Sequence, residues 1–144
     1  MPKVIVKRQD GGVSIVTPAP GVTQELIERD AKRVEGYVSH RQVQDKELPT
    51  DRTFRDAWVD DDVKINVNMP KAREIHMNHL RQKRAKLMPE LDVAYLEADE
   101  INDTLTKKAI ATRKKALRDM PQTYDLSTAQ TPEELKAMIP DYLK

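Results

Sequence analysis

The sequence predicts an α+β fold: a small N-terminal layer of β-hairpin, helix and strand, then a C-terminal antiparallel helical hairpin and a short terminal helix. Three observations predict it. All four glycines, the only Phe and Trp, and every alternating apolar pattern lie in residues 1–69. Residues 70–144 hold no glycine and are rich in Ala, Leu, Lys, Arg and Glu at helical spacing. Their charges come in blocks. Residues 70–88 carry six basic side chains against Glu74, a net of +5; residues 89–106 carry −6; residues 107–118 carry +6. A chain folding back near Asn102 sets the acidic block beside the second basic one, so charge selects the register of a hairpin that apolar packing holds. The domains read as 1–69 and 70–144, with the hairpin over 70–119 and the terminal helix over 132–139.

The elements follow in order. Val4–Arg8 and Val13–Thr17 flank Gln9-Asp10-Gly11-Gly12, a hairpin signature. A two-residue turn on Asp10-Gly11 pairs Val6 with Ile15 and puts Val4, Val6, Val13 and Ile15 on one face. A turn on Gly11-Gly12 sets Arg8 against Ile15, so the first register is preferred. Pro18 and Pro20 end the second strand. Thr23 then caps a helix with Val22 stapled to Ile27, a buried stripe of Leu26, Ile27, Ala31 and Val34, and a stop at Gly36. Tyr37–Val43 reads as a third strand, Phe54 to Trp58 as a short turn, and Val63–Val67 as an alternating strand. Pro70 opens a long helix whose stripe runs through Ile75, His79, Leu80, Leu87, Leu91, Ala94, Tyr95 and Ala98, with a kink or break expected at Pro89. Asn102 or Asp103 turns the chain into a helix with Leu105, Ala109, Thr112, Ala116 and Leu117 inward, ended by Pro121. Thr131-Pro132-Glu133-Glu134 starts the last helix.

Composition narrows the function. The chain has 144 residues, a net charge of +1, 38% hydrophobic, 34% charged and 4% aromatic residues. That supports a modest core with much solvated helix surface, and argues against a large enzyme pocket. Without cysteine there is no disulfide, zinc–thiolate or thiol chemistry. No apolar run approaches the ~20 residues that cross a bilayer, and Met1–Lys7 has no signal-peptide core, so no membrane insertion is expected.

No catalytic or metal-ligating set emerges, and no cofactor is expected. His76 and His79 lie three apart, whereas the metalloprotease helix needs four with a Glu after the first; they read as surface histidines. Asp60-Asp61-Asp62 lacks the spaced ligands of a calcium loop and reads as a polar turn. Phe54 and Trp58, four apart, are either a core anchor or a partner hot spot. The second hairpin helix, about 17 residues or roughly 25 Å long, is too short to cover a first helix reaching from Pro70 to Ile101. Ile75 and Leu80, beside Arg81 and Arg84, are thus left for Trp58 or for a partner. Ile75, Leu80, Arg81, Arg84, Phe54 and Trp58 are the candidate partner-binding residues.

Several segments together are distinctive: Leu48-Pro49-Thr50-Asp51-Arg52-Thr53-Phe54-Arg55-Asp56-Ala57-Trp58, Met69-Pro70-Lys71-Ala72-Arg73-Glu74-Ile75-His76, Lys115-Ala116-Leu117-Arg118-Asp119 and Thr131-Pro132-Glu133-Glu134-Leu135. In this order, after an opening strand and Asp-Gly-Gly, the chain resembles small tail or tail-fibre assembly proteins of tailed bacteriophages and prophages. Asn102-Asp103 stands where that family has Gly-Asp. The resemblance implies a non-enzymatic tail accessory protein that acts by protein–protein interaction, as an assembly chaperone or as a small, oligomeric tail subunit. It implies tail or tail-fibre proteins as partners, with the host cytoplasm and the virion tail as locations. The alternative is a nucleic-acid-binding regulator using the basic helix 70–86, which the near-neutral charge and the lack of interleaved aromatics disfavour.

Overall fold

A computed structural model describes residues 2–144. The chain is a small α+β fold with a long helical hairpin on its C-terminal side. It divides into two compact units, residues 1–72 and residues 73–144.

In the first unit, β1 (Pro2–Arg8) is the central strand of a three-stranded antiparallel sheet. Its neighbours are β2 (Val13–Val16) and β3 (Tyr37–Gln44). Helix α1 (Gln24–Lys32) links β2 to β3, its first turn capped by Thr23, whose hydroxyl accepts from the Leu26 amide at 3.4 Å. The run Val4-Ile5-Val6 is fully buried because the sheet is covered on both faces. Val4 and Val6 pack with Ile27, Ala31 and the staple residue Val22, while Ile5 packs with Val43, Leu48 and Ile65. Leu26, expected in the α1 stripe, is instead exposed.

The double-sided burial corrects the hairpin register. Ile5 pairs with Ile15 and Val6 with Ser14, one residue away from the expected pairing. The turn spans three residues: the Arg8 amide donates to the Gly12 carbonyl at 3.0 Å, and the Gly11 amide to the Arg8 carbonyl at 3.1 Å. Asp10 closes it by accepting from the Gly12 amide at 2.8 Å. The expectation assumed that one face of β1 is apolar and the other wet. With both faces buried, β2 can give Val13 and Ile15 to one side and Val16 to the other. Gly11 has φ = 82°. Gly11→Val is therefore expected to destabilise this unit by about 1–2 kcal/mol, the left-handed penalty for a side chain that carries a Cβ. Chemical denaturation followed by the fluorescence of Trp58, the only tryptophan, checks this.

The segment around Trp58 also differs from expectation. Trp58 opens a strand, β4 (Trp58–Asp60), that pairs with β5 (Ile65–Val67) in a separate two-stranded sheet. Val63 lies in the connecting turn and is exposed. The three aspartates each take a structural part. The Asp60 carboxylate, 1% exposed, receives both arms of Arg41 at 2.9 and 2.7 Å. Asp61 accepts from the amides of Lys64 and Val63 and from Asn66, which draw its pKa down to about 2. Asp62, at φ = 72°, pairs with Lys7 at 2.7 Å.

Helix α2 (Met69–Glu100) runs through Pro89 without a break. Only the Ala85 carbonyl loses its in-helix donor there, and an exposed position tolerates that. Asn102, at φ = 57°, ends the bend, and Asp103 caps α3 (Thr104–Thr123) by accepting from the Thr106 amide and hydroxyl at 3.1 and 2.6 Å. Lys107–Asp99 and Lys114–Asp92 ion pairs join the two helices, so the charge blocks do sit side by side. Pro121 lies inside α3 rather than at its end. A last short helix, α4 (Pro132–Ala137), ends two residues earlier than expected.

Candidate functional site

Within the second unit, the segment after α3 folds back on the hairpin and covers the stretch of α2 that α3 cannot reach. Leu80 is buried in a cluster with Leu91, Leu117, Met120 and Leu143, and Ile139 and Tyr142 pack against it. Three side chains hold this returning segment by its main-chain oxygens. Arg73 donates to the Ala129 carbonyl at 2.8 Å, and His76 Nε2 lies 2.8 Å from the Met138 carbonyl. Arg113 donates to the backbone oxygens of Tyr142 and Lys144 at 2.9 and 3.1 Å.

The candidate residues fall out differently under this arrangement. Leu80 is a core residue, not an interface one, and Ile75 is half-buried. Arg84 donates to the Leu117 carbonyl at 3.1 Å. That oxygen is orphaned because Pro121, four residues on, has no N–H to offer it. Arg84 therefore repairs a helix rather than waiting for a partner. Arg81 remains exposed and donates to Asn78 at 2.8 Å. Phe54 and Trp58 are buried. Of the six, Arg81 alone is an exposed residue.

His76, read as a surface histidine, is only 5% exposed. Burial holds its pKa below the ordinary 6.5, with His79 and Lys83 adding to that direction and the bond to Met138 opposing it. The unfolded chain therefore takes up a proton at a higher pH than the folded chain does. Stability is complete above about pH 6.5 and falls as the pH drops through the folded value. Protection factors of the amides across residues 125–144, each taken against the intrinsic exchange rate at the same pH, are expected to fall between about pH 7 and pH 5, and His76→Gln should flatten that dependence. Equal protection at both pH values would contradict it.

The exposed apolar surface lies elsewhere. Among the described residues, seven large apolar side chains are exposed, and four of them, Val93, Leu96, Ile101 and Leu105, fall around the hairpin bend. The expected inward stripe of α3 holds at Leu117, which is buried, and Ala116, which is half-buried, but not nearer the bend. Leu105, Ala109 and Thr112 face solvent, while Ile110, Leu117 and Met120 face the seam. Lys114 fits at the seam because its ammonium lies over the Tyr95 ring, 5.7 Å from the centroid, and pairs with Asp92. Sequence reasoning missed this because a row of small residues and a row mixing Ile, Arg, Leu and Met have similar periodicity.

No group of three or more His, Asp or Glu residues capable of holding a metal occurs among the described residues. No described helix is long and apolar enough to cross a membrane. No family model, no curated protein and no solved structure matches this chain.

Proposed function

We propose that the protein is a non-catalytic accessory protein of tailed-phage assembly that works by protein–protein contact, with the outer surface of the hairpin bend as its docking surface. The observation that carries the reading is the exposure of Val93, Leu96, Ile101 and Leu105 along one stretch of a capped, ion-paired hairpin. Single exposed apolar residues are ordinary on a protein surface, but four between residues 93 and 105 of a rigid hairpin mark an interaction element. The resemblance to tail and tail-fibre assembly proteins supplies the biological setting: tail or tail-fibre proteins as partners, the host cytoplasm during assembly and the virion tail as locations.

The nucleic-acid reading of residues 70–86 draws less support. Arg73 and Arg84, two of its cations, are engaged with backbone oxygens of their own unit. Mass spectrometry of purified virions and of tail-assembly intermediates tests the proposal. The chain is expected with tail or fibre proteins in the intermediates, and also in finished virions if it is a subunit. Its absence from both, or steeply salt-dependent binding to DNA in its place, rejects the reading.

A further inference from the structure

We propose that the outward faces of α2 and α3 are the two halves of a head-to-tail contact between copies of this chain. The acidic, apolar ridge of α2 in one copy seats on the basic, apolar ridge of α3 in the next. This rests on the reading of the hairpin as an interaction surface and names its occupant.

On α2, Val93, Leu96, Glu97 and Glu100 follow the i, i+3, i+4, i+7 spacing of a single helix face, and all are exposed, Val93 at 56% and Leu96 at 61%. On α3, Leu105, Lys108, Ala109, Thr112 and Lys115 do the same, Leu105 at 83%. The seam lies on the opposite side of each helix, where Leu91 and Ala98 of α2 and Leu117 of α3 are buried, and at its edge Asp92 and Asp99 are neutralised by Lys114 and Lys107. The outer charges have no such neutralisation. Glu97, Glu100 and Lys108 form no ion pair among the described residues, and Lys115 reaches only Asp119, at 3.9 Å.

The two ridges are complementary in sign and alike in apolar content. They are also level along the hairpin. The seam sets residue 92 beside 114 and residue 99 beside 107. A copy placed alongside in the same orientation thus brings its α3 antiparallel to the first copy's α2, with its basic ridge at the height of the acidic one. A second copy supplies both halves of this contact. Because the halves lie on opposite sides of one hairpin, the contact is heterologous and builds a ring or a row rather than a closed twofold pair.

The test is light scattering on the purified full chain over a wide concentration range. The mass is expected to rise beyond that of a dimer and to fall back with added salt. Glu97→Lys with Glu100→Lys makes both ridges basic, and Lys108→Glu with Lys115→Glu makes both acidic. Each variant alone should stay monomeric, and an equimolar mixture should assemble again, which also shows that both variants are folded. A wild-type chain that stays monomeric or stops at a dimer overturns the proposal, as does a mixture no larger than its components. If the wild-type chain is monomeric but the Glu97→Lys, Glu100→Lys variant loses a tail or fibre protein in pull-down, the occupant is that protein. Self-association is then wrong while the assembly role survives. Self-association intact in a protein missing from virions and assembly intermediates is the reverse result, sinking the role and sustaining the contact.

Discussion

Arg41→Ala is expected to destabilise the N-terminal unit by about 3–5 kcal/mol, the range for leaving one partner of a buried ion pair without the other. The geometry accounts for the size of the effect. Both carboxylate oxygens of Asp60 are held by the guanidinium, at 2.9 and 2.7 Å, and the Asp60 side chain is 1% exposed, so removing the guanidinium leaves a buried carboxylate without its two charged donors. The pair also joins β3 to β4, strands that belong to different sheets. Denaturant unfolding followed by Trp58 fluorescence measures it. Replacing both residues with Arg41→Met and Asp60→Leu should recover most of the loss, since the desolvation of the pair disappears with it. If Arg41→Ala and the double replacement are equally damaging, the charge pairing is not what this position supplies.

Leu80→Ala is expected to cost about 2–5 kcal/mol in the second unit, the range for a fully buried leucine whose surroundings relax only in part. Leu80 sits where α2, α3 and the returning segment meet, so the cavity is walled by Leu117, Met120 and Leu143 and cannot close from one side. Far-UV circular dichroism of urea-unfolded samples reads the change. Under the expectation that Leu80 serves a partner, the same substitution would leave folding intact and weaken binding only.

How much of this was legible depends on what kind of contact each element makes. The long hairpin was legible because helical spacing, an Asn-Asp bend and alternating charge blocks all point the same way, and Asp92–Lys114 and Asp99–Lys107 are their physical product. The caps at Thr23, Asp103 and Thr131 were legible because capping is local chemistry. The register of the N-terminal hairpin was not, because the burial of both faces of β1 depends on Leu48 and Ile65, which are distant in sequence. The returning segment was hidden for another reason. Arg73, His76 and Arg113 grip main-chain oxygens, and any sequence presents those alike. The candidate surface was half legible. Leu105, Ala109 and Thr112 stood out as an apolar row, and periodicity alone does not tell which way such a row faces.

The bond from Arg84 to the Leu117 carbonyl links two positions that are 37 residues apart along the chain, Arg84 and Pro121. Arginine is required at the first because proline occupies the second. A lineage that exchanged Pro121 for an ordinary residue would give the Leu117 carbonyl back its in-helix donor, and position 84 would then be free to drift. A lineage that changed Arg84 first would have to carry an unsatisfied carbonyl until the proline was lost. The two positions should therefore vary together across descendants of this chain, with the change at 121 coming first.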